Sequence, residues 1–129
     1  MTRILTIALV LILGGNGLFM LFGSFAWYNA VPGVPATGAF NPHFVRDIGV
    51  AYLASGLGLA WFLVRPHQGW PALVVAATFL VGHAGIHVFD NSCSRSPLAD
   101  MIRDFPGVYL VAAATAVVAW LNRPQDRKG

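Results

Sequence analysis

Apolar residues fall in four long runs, at about 4–27, 43–64, 71–90 and 105–122, with short polar or Pro/Gly-rich stretches between them. At about 1.5 Å of rise per helical residue, each run is long enough to cross a hydrocarbon core about 30 Å thick. Backbone polar groups in lipid must be satisfied within the segment, and runs of this length exceed the strands of a tilted barrel. The pattern therefore predicts an all-α, polytopic membrane protein. Residues 1–129 are expected to form a single antiparallel bundle of four transmembrane helices.

The boundaries carry matching signals. Asn41 followed by Pro42 predicts an N-cap with proline at the first helical position, and Asp104 before Pro106 predicts a similar start for the fourth helix. Arg65-Pro66 and Arg123-Pro124 are expected to stop the second and fourth helices. The stretch RPHQGW is short enough to make helices two and three antiparallel neighbours. Glycines 49, 56, 58, 82 and 85 are expected to allow close helix approach, and Asn16 to hydrogen-bond across the bundle. Trp27, Tyr28, Trp61, Trp70 and Trp120 sit near helix ends, as in interfacial aromatic belts.

Composition agrees. The chain is 57% hydrophobic and 10% charged, with a mean hydropathy of +0.66, which a soluble domain of this size would struggle to bury. Lys/Arg counting places Arg3, Arg65, Arg123, Arg127 and Lys128 on one side and Arg46, Arg95 and Arg103 on the other. Asp47, Asp90, Asp100 and Asp104 join the second group. By the positive-inside rule both termini are cytoplasmic, and the expected location is a bacterial inner membrane. The pI near 9.6 is thus a matter of membrane orientation and does not call for nucleic acid. Cys93, the sole cysteine, has no partner for an internal disulfide.

The candidate chemistry sits at the extracytoplasmic end. Helix three closes on VGHAGIHVFD, where His83, His87 and Asp90 share a face; helix two opens on NPHFVRDIG, where His43 and Asp47 are four apart and share another. An antiparallel hairpin is expected to bring the two sets to similar depth, with Arg46 at the same end. Ionisable groups at that depth normally face a bundle interior. His43, Asp47, His83, His87 and Asp90 are therefore candidate ligands for a transition metal such as Zn, Cu or Fe. Asp47 and Arg46 are candidate catalytic groups.

NPHFVRDIG and the four-helix topology resemble small bacterial membrane proteins of the broad DoxX-like type. The resemblance implies the architecture and assigns no catalytic residue. Several functions stay open at this level. One is a metal-dependent enzyme acting on a small lipophilic substrate that enters from the bilayer, beneath a cover formed by AVPGVPATG. Another is a non-enzymatic scaffold subunit whose His/Asp cluster clamps two helices. A metal-free proton-handling site and a b-type haem protein using His43 are further readings. A homo-oligomer is compatible with all of them.

Overall fold

The computed structural model describes residues 2–124. It contains helices α1 (Thr2–Phe22), α2 (Ser24–Ala30), α3 (Pro42–Val64), α4 (Pro66–Ser92), α5 (Pro97–Asp104) and α6 (Leu110–Leu121). A 3-10 turn at Val34–Thr37 lies between α2 and α3, and a π-helical turn at Phe105–Tyr109 joins α5 to α6. Four stretches are long and apolar enough to cross a membrane: Thr2–Phe22, Pro42–Val64, Pro66–Ser92 and Pro97–Leu121. The protein is an all-α four-helix membrane bundle. Its outer surface carries Leu11, Phe22, Leu57, Val75 and Phe89 largely exposed, an arrangement that water would penalise and lipid accepts.

Around the bundle α1 packs on α3, α3 on α4, and α4 on α6, while α1 and α6 touch along the closing seam. Thr2 and Arg3 lie beside Phe62, Pro66 and Asn122, so both described ends share one side with the α3–α4 turn. The opposite side, the distal end, holds the 31–41 loop and the start of α5. The core is led by Leu9, Leu13, Leu59, Leu73 and Val118. Buried Thr6, Ser55 and Thr115 donate to the carbonyls four residues back, so that among the described residues no fully buried side-chain polar atom lacks a partner.

Two boundaries fall where the sequence puts them. The Asn41 side chain accepts from His43 N and Phe44 N at 3.1 and 3.2 Å, with Pro42 at the first helical position. α3 ends at Val64, before Arg65-Pro66. Arg65 alone separates α3 from α4, because α4 starts at Pro66 and carries Pro71 inside it. RPHQGW is thus the first turns of α4 rather than a loop. A Cβ at Gly69 would stand 2.5 Å from Phe62 Cα, so only glycine permits this turn.

Other expectations are corrected. The first run does not form one helix: it breaks at Gly23, and Trp27 Nε1 on α2 donates to Asn16 Oδ1 at 2.8 Å. Asn16 therefore braces this bend and does not link across the bundle. The fourth span begins at Pro97, well before Pro106, and Asp104 makes no side-chain cap. Pro106 lacks an N–H and would clash with the carbonyl four residues back in an α-helix. The chain widens instead, and Leu110 N–H reaches Phe105 O, five residues back. Close helix approach is made by Gly49, whose Cβ would lie 2.8 Å from Met20 Cβ, and by Gly17, whose Cβ would lie 2.8 Å from Gly49 O. Gly82 and Gly85 have nothing within 4 Å; they face outward and bring no helix closer.

Candidate functional site

The distal end of α4 turns one stripe inward: His83, His87 and Asn91, spaced by four, are each offset by about 40° around the helix. Asn91 is buried, and both histidines are partly buried. Asp104 faces this stripe from the last turn of α5 and is only 8% exposed. Its Oδ2 accepts from His87 Nδ1 at 2.8 Å and from Asn91 Nδ2 at 2.9 Å, and its Oδ1 accepts from Arg103 Nε at 2.8 Å. Asn91 Nδ2 also donates to Tyr109 Oη at 3.0 Å, and Arg103 Nη1 donates to Asp100 Oδ1 at 2.5 Å.

The π turn makes this constellation possible. In an α-helix, residues five apart are about 140° apart around the axis, which would send Asp104 and Tyr109 to different faces. The wider i→i+5 turn restores them to one face, and both reach Asn91. A carboxylate that already accepts from Arg103 and Asn91 offers His87 only an acceptor, so His87 Nδ1 carries the hydrogen. The nitrogen left to a ligand is Nε2.

His83 continues the row inward. Its ring centroid lies 4.8 Å from that of His87 at an angle of 65°. Beyond it, Phe79 stacks at 6.0 Å and Tyr52 meets it edge-on at 5.9 Å.

His83 and His87 form part of the wall of a cavity of about 400 Å³ at the distal end. Most of the remaining wall is apolar or aromatic: Met20 from α1, Trp27 from α2, Phe44, Val45 and Ile48 from α3, and Ile86 from α4. Val34, Thr37, Gly38 and Ala39 of the 31–41 loop cover it. Tyr28 Oη donates to Gly38 O at 2.8 Å, and Phe40 packs on Phe25 and Tyr28 with centroids 5.2 and 5.3 Å away. The loop also touches the polar network. Gly33 has φ +88°, and a Cβ there would lie 2.6 Å from the Arg103 guanidinium carbon. Glycine is required twice over, by backbone conformation and by contact.

The residues singled out from sequence divide into two groups. His83 and His87 meet at the cavity. His43 and Asp47 pair with each other at 3.4 Å on the outside of α3, 88% and 60% exposed. The cavity is lined by neighbouring Asn41, Phe44, Val45 and Ile48 instead. Arg46 and Asp90 are exposed as well. The five expected ligands therefore do not converge, because α3 turns Val45 and Ile48 inward and His43 and Asp47 outward. Among the described residues, no group of three or more His, Cys, Asp or Glu side chains is placed to hold a metal ion. Asp104, Asn91 and Tyr109 complete the site. Asn91 extends the His83/His87 spacing by one more step of four, a visible signal; Asp104 reads from sequence as a cap or lid residue before Pro106, and its place in the network depends on the π turn.

Comparisons with protein-family models, curated proteins and solved structures give no match to this chain.

Proposed function

We propose that this membrane protein binds a small lipophilic molecule with a hydrogen-bond-donating head group, using His87 Nε2 as the acceptor at the wall of the distal cavity. One observation carries the reading: a 400 Å³ apolar cavity whose wall includes an imidazole already oriented by a buried carboxylate at 2.8 Å. An imidazole held this way presents one defined nitrogen, and it accepts a proton at little cost in reorganisation. Aromatic and aliphatic walls supply affinity, and the few polar groups supply orientation. Phe44 and Ile86, both exposed and both on the cavity wall, offer a lateral way in.

A metal-dependent reading does not fit the donors. His83 and His87 are two imidazoles, and His87 Nδ1 and both Asp104 oxygens are already engaged. A third donor is missing from the described residues.

The orientation expected from sequence belongs to this proposal. Arg3, Arg65 and Arg123 lie at the end of the termini, whereas Asp47, Asp90, Asp100 and Asp104 belong to the distal half. Arg127 and Lys128, which complete the count, lie outside the described residues. A bacterial inner membrane with cytoplasmic termini puts the cavity on the outer leaflet.

The second reading, a structural clamp, is favoured by the fact that the His87–Asp104 and Asn91–Asp104 bonds all tie α4 to α5. Binding of 2-naphthol, compared with naphthalene, separates the two. Quenching of Trp27 in detergent-solubilised protein reports occupancy. The proposal expects 2-naphthol to bind more tightly than naphthalene by about tenfold, a difference lost in His87→Leu; one good hydrogen bond to a desolvated acceptor accounts for that factor. Equal binding of both probes, or none, rejects the proposal and leaves the clamp.

A further inference from the structure

A second concave surface lies away from the cavity, on the outside of the bundle between α4 and α6. It is a groove of about 830 Å³ whose wall includes Trp70, Val81, Gly82, Ala116, Trp120 and Arg123. Trp70 Nε1 donates to Ala119 O at 3.0 Å and pins the two helices together at the end of the termini. Further along, Gly82 and Ala116 leave a furrow between the helices, and nothing lies within 4 Å of where a Gly82 Cβ would be.

Two properties say what fills it. Trp70 and Gly82 are twelve residues apart, about 18 Å along the helix axis. That is close to the depth of one leaflet, about 15 Å for half of a 30 Å core. The groove is apolar along this length and basic only at its mouth, where the Arg123 guanidinium lies 4.2 Å from the Trp120 ring centroid. Among the described residues Arg123 takes part in no ion pair, so no described carboxylate occupies its hydrogen-bond fork. The guanidinium suits a phosphate, which it can contact through two parallel N–H groups.

We propose that this groove is a binding site for an anionic phospholipid, with one acyl chain along the α4–α6 furrow and the phosphate on Arg123. The length, the apolar wall and the single cation at its mouth match one acyl chain and the anionic head of such a lipid, its second chain remaining in the bilayer. A second copy fits less well. A parallel two-fold contact through this face would set Arg123 beside Arg123, and the acidic residues described, Asp47, Asp90, Asp100 and Asp104, belong to the distal half. Asp126 lies outside the described residues.

Native mass spectrometry of the purified full chain tests this, with phosphatidylglycerol and phosphatidylcholine of identical acyl chains as probes. The wild type is expected to retain one phosphatidylglycerol with about fivefold preference, the size of the attraction of one interfacial Arg for a lipid of net negative charge over a zwitterion with the same phosphate. Arg123→Gln should bring the two lipids to parity, and Arg123→Lys should keep part of the preference. Ala116→Phe, which fills the furrow, should lower retention of both. Equal retention by the wild type, a preference unchanged in Arg123→Gln, or a dimer carrying no lipid each overturns the proposal. The Arg123 variants are at an exposed helix end, so they decide the matter even if Ala116→Phe does not fold.

Discussion

Replacing Asp104 by alanine removes the acceptor that three side chains share. His87 Nδ1, Asn91 Nδ2 and Arg103 Nε each lose a bond of 2.8–2.9 Å. Hydrogen bonds to a charged partner are worth about 1.5–3 kcal/mol each, but three bonds on one carboxylate do not add, and Arg103 is a third exposed and regains water. Asn91 is buried and keeps only Tyr109, so its loss is nearly complete. Breaking a buried ionic network by removing one member costs about 3–5 kcal/mol, and Asp104→Ala is expected within that range. Asp104→Asn, which keeps one acceptor oxygen, should cost less. The assay is reversible unfolding in mixed micelles, followed by circular dichroism as the SDS fraction rises. A loss below about 1 kcal/mol would refute the reasoning, because it would mean the network is no stronger than an exposed pair.

Four further outcomes follow from the geometry. His43→Ala and Asp47→Ala should each change stability by less than about 0.5 kcal/mol in the same assay, since exposed i,i+4 pairs contribute little. Gly33→Ala should destabilise by about 1–2 kcal/mol from its left-handed backbone alone, with a further cost that Arg103→Ala relieves; a double-mutant cycle reads that coupling. Gly69→Ala meets α3 backbone at 2.5 Å, and unfolding should show a loss of at least the 1–3 kcal/mol (order of magnitude) typical of overpacking. Tyr109→Phe removes one acceptor of Asn91, and should cost about 0.5–1.5 kcal/mol while leaving 2-naphthol binding intact.

The spans, the α3 cap and the distal location of the polar cluster were legible in the sequence because each rests on a local rule. Asn41-Pro42 needs only its own helix, and apolar runs of membrane length need only the backbone's demand for hydrogen bonds. Facing was harder. His43 and Asp47 share a face, yet a shift of one residue turns a helix by about 100°, and it is Val45, buried, and Ile48, half-buried, that take the inward side. The lipid-facing side of α3 is apolar as well, with Phe44, Val50 and Leu57 exposed, so apolarity alone does not separate the two faces. Asp104 was concealed by Pro106, since proline ordinarily marks a helix boundary and the π turn that absorbs it has no comparable short-range signature. Gly82 and Gly85 suggest a close helix neighbour, but nothing lies within 4 Å of where either Cβ would stand.

The central claim is that His87 carries its hydrogen on Nδ1, toward Asp104, and presents Nε2 to the cavity. Nitrogen NMR of histidine-labelled protein in bilayers measures this directly, with His87→Gln identifying the signals. The account predicts a protonated Nδ1 and a bare Nε2 in the free protein, and a shift of the Nε2 resonance toward the hydrogen-bonded range when 2-naphthol is added and none when naphthalene is added. A hydrogen on Nε2, or a His87 spectrum unmoved by saturating 2-naphthol, would contradict it.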